Sequence, residues 1–338
     1  MADGIDIAAL QAWLVGNVPD YAGRPALQKF EGGQSNLTFK LSSDSGEYVL
    51  RRKPAGVTLP SAHAVEREFR VMRALGDTAV PVARPLALCE DSGVIGSAFY
   101  VMPFVAGRVF WDQTLPDIAK DDRAKMFDSM NATIAALHSV DWRAVGLDGF
   151  GRPENYLARQ IARWAKQYRA AETAPIAAMD GLIAWLPQHL PTRDATAVVH
   201  GDFRMDNLIF HPSEPRVVAV LDWELSTIGD PIADFAYHAM SWRIAPALFR
   251  GLAGSDFAAL GIPTEDTYVA AYFERIGQAK VADWDFCIVF GMFRIAAILL
   301  GILKRAQDGT AASAQALDVG GRGASIAEQA WDLARSLG

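Results

Sequence analysis

The hydrophobic pattern of the chain changes character near residues 103 to 107. Ahead of that point it is mainly two-fold. Leu37-Thr-Phe-Lys-Leu41 alternates apolar and polar positions, and Glu47-Tyr-Val-Leu-Arg51 follows after Ser43-Asp-Ser-Gly46. Alternation on both sides of a small polar turn predicts a β-hairpin. Phe99-Tyr-Val-Met102 predicts a further strand, ended by Pro103. Val65, Phe69, Met72 and Leu75 recur at helical spacing and predict a helix over 62–75. An opening helix precedes the strands.

Beyond Gly107 the period becomes helical. Met126, Met130, Ile134 and Leu137 share one face of a predicted helix over Arg123 to His138. Leu157, Ile161, Trp164 and Tyr168 do the same for Tyr156 to Thr173. Residues 198–210 and 217–222 break the pattern with a loop and short strands, and from Phe235 the chain is helical again. This order predicts an α+β fold: a β-rich N-terminal lobe over 1–103 and an α-rich C-terminal lobe over 104–338. The most apolar run, Cys287 to Leu303, is interrupted by Arg294 and is short for a membrane span, so it predicts a buried helix.

Composition narrows the function. The chain has 338 residues, 51% apolar and 21% charged, enough to bury a core without a disulfide or metal staple. A net charge of −7 and the lack of a basic run speak against nucleic acid as a partner. Cys89 and Cys287 stand in no metal-binding or redox spacing and are expected free and inert. The first ten residues lack a basic segment followed by an apolar run, so no signal peptide is expected. A cytoplasmic enzyme without a membrane partner is the expectation.

The candidate chemistry lies in His200-Gly-Asp-Phe-Arg-Met-Asp-Asn207. Phosphoryl transfer needs a group to orient the attacking hydroxyl and metal ligands to neutralise phosphate charge. Asp202 and, five residues on, Asn207 can supply both from one loop. Asp222, at the end of the apolar strand Val217-Val-Ala-Val-Leu221, is placed to be a second acidic ligand. Mg²⁺ prefers such hard oxygens. Singly, each of these residues reads as a turn or cap; together they form a pattern.

His200 to Phe210, with Leu221-Asp-Trp-Glu224, resembles the aminoglycoside phosphotransferase family, which includes choline-kinase-like enzymes. The pattern is similar to the HRDxxxxN and DFG signatures of protein kinases. The resemblance runs from about residue 30 to about residue 240 and implies a protein-kinase-like bilobal fold, ATP and Mg²⁺ as cofactors, Asp202 as catalytic base, and Asn207 and Asp222 as metal ligands. Glu31-Gly-Gly-Gln-Ser-Asn36 then corresponds to the nucleotide loop, with Gly32, Gly33, Ser35 and Asn36 near the phosphates. Arg51 stands where kinases carry a lysine, with Lys53 on the same strand face as the alternative. Glu68, rather than Glu66, fits as its helix partner. Phe99 to Gly107 resembles the hinge that holds adenine, with Met102 and Phe104 near the base. Asp234, in Gly229-Asp-Pro-Ile-Ala-Asp234, is expected to brace the catalytic loop, and His138 and His200 to hold structure rather than move protons.

Two segments, Ala62 to Phe69 and Asn155 to Tyr168, resemble the branch of the family associated with acyl-CoA dehydrogenases. That implies a small-molecule alcohol, such as a hydroxyacyl-CoA, as acceptor and a dehydrogenase as a possible partner. Glu265, Asp266, Glu274, Asp283 and Asp285 are a modest supply of carboxylates for an aminoglycoside. An aminoglycoside or aminoalcohol kinase is the alternative. A nucleotide-binding pseudokinase regulating a partner dehydrogenase is the third reading, supported by Arg51 alone. The Ala- and Gly-rich tail after Asp308 is expected either to dock on the lobe or to form a homodimer.

Overall fold

The hairpin forms where the alternation predicts it. In the computed structural model, which describes residues 4–30, 36–54, 64–193, 195–310 and 315–338, β2 (Leu37–Ser43) pairs antiparallel with β3 (Gly46–Arg52). Gly46 closes the turn opposite Ser43 with φ at 131°, a value that residues with a Cβ avoid. β3 also pairs with β5 (Phe99–Pro103), and the short strands β1 (Ala26–Lys29) and β4 (Ala87–Cys89) form the edges. The sheet order is β1-β2-β3-β5-β4.

Register divides the faces of this sheet. Phe39, Leu50, Val101 and Ala87 lie opposite one another and are buried against Leu10 and Leu14 of helix Ile7–Asn17. Thr38, Arg51 and Tyr100 align on alternate positions, and Phe69 of helix Val65–Leu75 meets the Tyr100 ring edge-on at 6.3 Å. The predicted helix over 62–75 is thus seen from Val65; residues 62 and 63 lie outside the described part.

Two compact units result, and they are not linear stretches. The sheet unit gathers residues 1–108, 142–150 and 208–226. Its last segment is a small hairpin, Leu208–Phe210 with Val217–Val220. Arg108 and Phe210 exchange backbone hydrogen bonds at 2.8 Å in both directions, and the Val220 N–H donates to the Pro81 carbonyl at 2.8 Å. A Cβ on Gly107 would lie 2.3 Å from the Phe210 carbonyl oxygen, so only glycine fits that approach.

The helical unit holds residues 109–141, 151–207 and 227–338. Helix Lys120–His138 starts slightly earlier than the pattern predicts. Helix Tyr156–Ala171 ends where Glu172 turns extended. The apolar run forms helix Trp284–Gln307, mostly buried, as its composition predicts. Helix Pro231–Ala239 crosses it at Gly291, where the Tyr237 backbone comes close. The tail docks within the unit: helix Gly323–Leu337 packs its buried Ala327, Ala330 and Ala334 inward. Both cysteines are free and buried, and burial pushes the Cys287 thiol up to about 12.

Candidate active site

Strand Ala197–Val199 pairs with Thr227–Gly229 and delivers His200 into a loop fixed by one buried carboxylate. Asp234 accepts the His200 N–H on Oδ2 and the Gly201 N–H on Oδ1, each at 2.8 Å. Gly201 has φ at 81°, which lets consecutive N–H groups converge on Asp234. Burial alone would raise the Asp234 carboxyl, but its bonds to His138 and the nearby His200 hold it below the usual carboxylate range. It is therefore ionised and pairs with His138 Nε2, 3.2 Å away, while His138 Nδ1 lies 2.7 Å from the Tyr272 hydroxyl. His200 Nδ1 accepts the Asp202 N–H at 3.1 Å. Both histidines hold the loop, as does Asp234.

Asp202 is presented by this frame with its carboxylate gripped from three sides. The Tyr237 hydroxyl donates to Oδ1 at 3.2 Å. Asn207 Nδ2 donates to Oδ2 at 3.0 Å and to the Asp202 carbonyl at 2.8 Å. Arg204 Nη2 lies 3.0 Å from Oδ2. Burial and the neighbouring Asp202 raise the Tyr237 phenol, so it keeps its proton and stays a donor. Asn207 uses its amide nitrogen on Asp202, which leaves Oδ1 as its acceptor. Arg294, from the middle of the apolar helix, donates to the Gly201 carbonyl and sits over the Tyr237 ring at 4.4 Å and the Trp164 ring at 5.2 Å. Sequence reasoning missed Tyr237, Arg204 and Arg294. Only Arg294 left a signal, as a lone charge in an apolar run.

In the sheet unit, Arg51 is the centre of a second cluster. Its Nε is 2.8 Å from Glu68 Oε2, and its Nη2 is 2.9 Å from Asp222 Oδ1 and 3.7 Å from Glu224. Lys53 pairs instead with Glu66. Arg51, not Lys53, is thus the cation held by Glu68 and facing Asp222. Glu68 is 1% exposed and also accepts from the Tyr100 hydroxyl at 3.1 Å and from Asn36 Nδ2 at 2.7 Å. Burial pushes the Glu68 carboxyl up to about 7 even beside Arg51, because Asp222 and Glu224 add negative charge nearby. Burial would lower the Arg51 guanidinium, but Glu68 and its neighbours hold it above its ordinary value.

Asp222 sits in the left-handed region at φ 64° with no capping bond of its own, so its carboxylate is not committed as a helix cap. Asn36, expected near the phosphates, turns its amide inward as a support for Glu68. Gly32, Gly33 and Ser35 lie outside the described residues. Met102 is buried at the end of β5, and the Phe104 N–H is taken up by the Glu47 carbonyl at 3.1 Å. Lys40 stands 4.6 Å over the Phe104 ring. Among the described residues no cluster of three His, Cys, Asp or Glu side chains could hold a metal.

Residues 26–285 match the phosphotransferase enzyme family. The chain belongs to that family. It is 46% identical over 333 residues to acyl-CoA dehydrogenase family member 10 of Mus musculus, covering 98% of this chain and 31% of that protein. It is 40% identical to acyl-CoA dehydrogenase family member 11 of the same organism, over 89% of this chain and 39% of that protein. The chain therefore spans well under half the length of these relatives. Among solved structures, a candidate aminoglycoside phosphotransferase from Ralstonia eutropha superposes with a TM-score of 0.91 at 55% identity, covering 98% of each chain. Choline kinase from Cryptosporidium parvum, at a TM-score of 0.68 and 10% identity over 98% of this chain and 96% of that one, shares the protein-kinase-like fold. Membership places the chain among phosphotransferases.

Proposed function

We propose that the chain moves the γ-phosphoryl group of ATP onto a hydroxyl of a small metabolic alcohol, with a hydroxyacyl-CoA as the acceptor class. The observation that carries this reading is the placement of the Asp202 carboxylate: three donors hold it and one oxygen of Asn207 stays available beside it. In the reaction the acceptor oxygen attacks the γ-phosphorus, the bond to the β-phosphate oxygen breaks, ADP leaves, and the hydroxyl proton passes to Asp202. Arg51, aligned by Glu68, suits the ATP phosphates, and Met102 and Phe104 suit the adenine. Asn207 and Asp222 each offer a hard oxygen of the kind Mg²⁺ takes. When bound, Mg²⁺ would neutralise phosphate charge.

Support for the acceptor class comes from two sides. The relatives named as acyl-CoA dehydrogenases carry this domain within longer chains, which also suggests a dehydrogenase as partner. Three of the five carboxylates available to an aminoglycoside are engaged within the fold: Arg243 holds Glu265 and Asp285, and Arg193 holds Asp283. An aminoglycoside or aminoalcohol acceptor remains the second reading, favoured by the Ralstonia protein at 55% identity.

The test is ATP turnover with Mg²⁺ against hydroxyacyl-CoAs, aminoglycosides and amino alcohols. Turnover should appear with hydroxyacyl-CoAs and fall by roughly 100-fold or more in Asp202→Ala. Aminoglycoside turnover at similar rates would overturn the acceptor class. Full activity in the variant would remove Asp202 from the base role.

A further inference from the structure

We propose that Arg250 and Trp111 form the acceptor clamp of the helical unit: the guanidinium takes a phosphate or carboxylate carried by the acceptor, and the indole packs on the flat or apolar part beside it. The inference rests on the reading of Asp202 as the base.

A line of alternating charges leads from that base to the clamp. Arg204 Nη2, 3.0 Å from Asp202, is also 3.3 Å from Asp206 Oδ2. Asp206, with 5% of its side chain exposed, is in turn paired with Arg250 Nη1. Arg250 is the outer end of this line, a quarter exposed. Among the described residues Asp206 is the one carboxylate within ion-pair reach of it. A guanidinium carries five N–H donors, so an edge of Arg250 is left for another acceptor. Burial and the neighbouring Arg204 pull Arg250 below its ordinary value in spite of Asp206 and Asp202. An anionic ligand at Arg250 would favour its charged form, against the burial that disfavours it.

Trp111 stands against the same guanidinium, 4.8 Å from ring centre to Arg250, and is 65% exposed. Phe249 lies 5.5 Å from Arg250. A large aromatic side chain kept in water beside a cation marks a binding surface better than a packing one. The backbone is specified as tightly. Arg250 has φ at 44°, a left-handed value that costs a bulky residue strain. Gln113 Nε2 holds its carbonyl at 2.7 Å. A Cβ on Gly251 would overlap the Ile244 carbonyl oxygen, so the following residue is confined to glycine. Simple neutralisation of Asp206 does not account for this, because Arg204 already does so, and it leaves Trp111 without a role. A polycationic acceptor would face the guanidinium and be disfavoured.

The test compares two thioesters with the same hydroxyl: 3-hydroxybutyryl-CoA, and 3-hydroxybutyryl-N-acetylcysteamine, which has no phosphate. Binding to the full chain is measured by calorimetry, without turnover. Wild type should bind the CoA thioester at least about tenfold more tightly than the neutral one. Arg250→Gln should close that gap and Arg250→Lys keep part of it. Trp111→Ala, at an exposed position, should weaken the CoA thioester at least about threefold with unchanged thermal unfolding. Equal binding of both thioesters by wild type, binding of neither, or an equal loss of both in Arg250→Gln would overturn the clamp. Turnover followed in parallel separates the two readings. A binding gap without phosphorylation keeps the clamp and removes the acceptor assignment. Equal phosphorylation of both thioesters keeps the kinase and removes the clamp.

Discussion

Tyr237 donates its hydroxyl to the Asp202 carboxylate at 3.2 Å. The phenol is buried and keeps its proton, so this bond orients the carboxylate without competing for the proton that Asp202 is to receive. Asn207 and Arg204 remain on the other oxygen. Tyr237→Phe keeps the ring under Arg294 and removes only the donor. It should lower kcat about three- to tenfold, leave KM for ATP unchanged, and cost about 1 kcal/mol in denaturant unfolding. Unchanged kcat would mean that Asn207 and Arg204 orient Asp202 by themselves.

The cluster at Arg51 makes a pH prediction. Glu68 is raised from 4.5 to about 7 in the fold. Its folded value lies above its unfolded one, so its contribution to stability is complete below about pH 4.5 and is lost as pH rises through about 7. Wild type should lose roughly 3 kcal/mol across that window relative to Glu68→Gln, read from urea midpoints at several pH values. The variant keeps the shape, and its amide can still meet Arg51 and Tyr100. Parallel curves for the two proteins would show that Arg51 fully compensates the buried charge.

What the sequence made legible was local. The hairpin Leu37–Arg52 and helix Lys120–His138 follow from periodicity within single segments. The Asp202 and Asn207 pair is visible because both sit in one loop. The brace from Asp234 was legible because the resemblance covered its motif. Edge strands β1 and β4 are too short to show alternation. Arg204 and Arg250 meet through Asp206 across a long stretch of chain, and Tyr237 reads as one more apolar position in Pro231–Ala239. Such contacts depend on how helices cross, which no local pattern encodes. The return of residues 208–226 to the sheet unit rests on pairing with Arg108, equally long in range. Asn36 shows the opposite case: its motif pointed to nucleotide, and packing turned its amide to Glu68.

Asp234 should make the loop sensitive to acid. Its folded carboxyl lies below the usual value, so its contribution is present above about pH 4 and is lost as pH falls through the folded value. Asp234→Asn presents an amide N–H₂ to one of the two backbone N–H donors and cannot satisfy both. It should cost about 1–3 kcal/mol at pH 7 and lose less further stability than wild type on acidification below about pH 4. Thermal unfolding scans at pH 7 and pH 3 measure both effects. An identical acid response in the two proteins would place the ionised brace elsewhere.

Arg294 supplies the sharpest separation of packing from positioning. It is 6% exposed, donates to the Gly201 carbonyl, and spreads its guanidinium over Tyr237 and Trp164. Arg294→Met fills similar volume but leaves that carbonyl without its donor and Tyr237 without its cation. Arg294→Lys keeps a charge and a donor but loses the planar stack. If Arg294 sets the position of Asp202 through Gly201 and Tyr237, kcat should fall at least about tenfold in the Met variant and less in the Lys variant, with KM for ATP unchanged in both. Purely structural packing predicts another pattern: lower unfolding temperatures for both variants and wild-type kcat in whatever protein stays folded. Steady-state kinetics below the unfolding range decide between them. The removal of a single buried charge from an apolar helix thereby reports on the geometry of a loop that the helix reaches through Arg294.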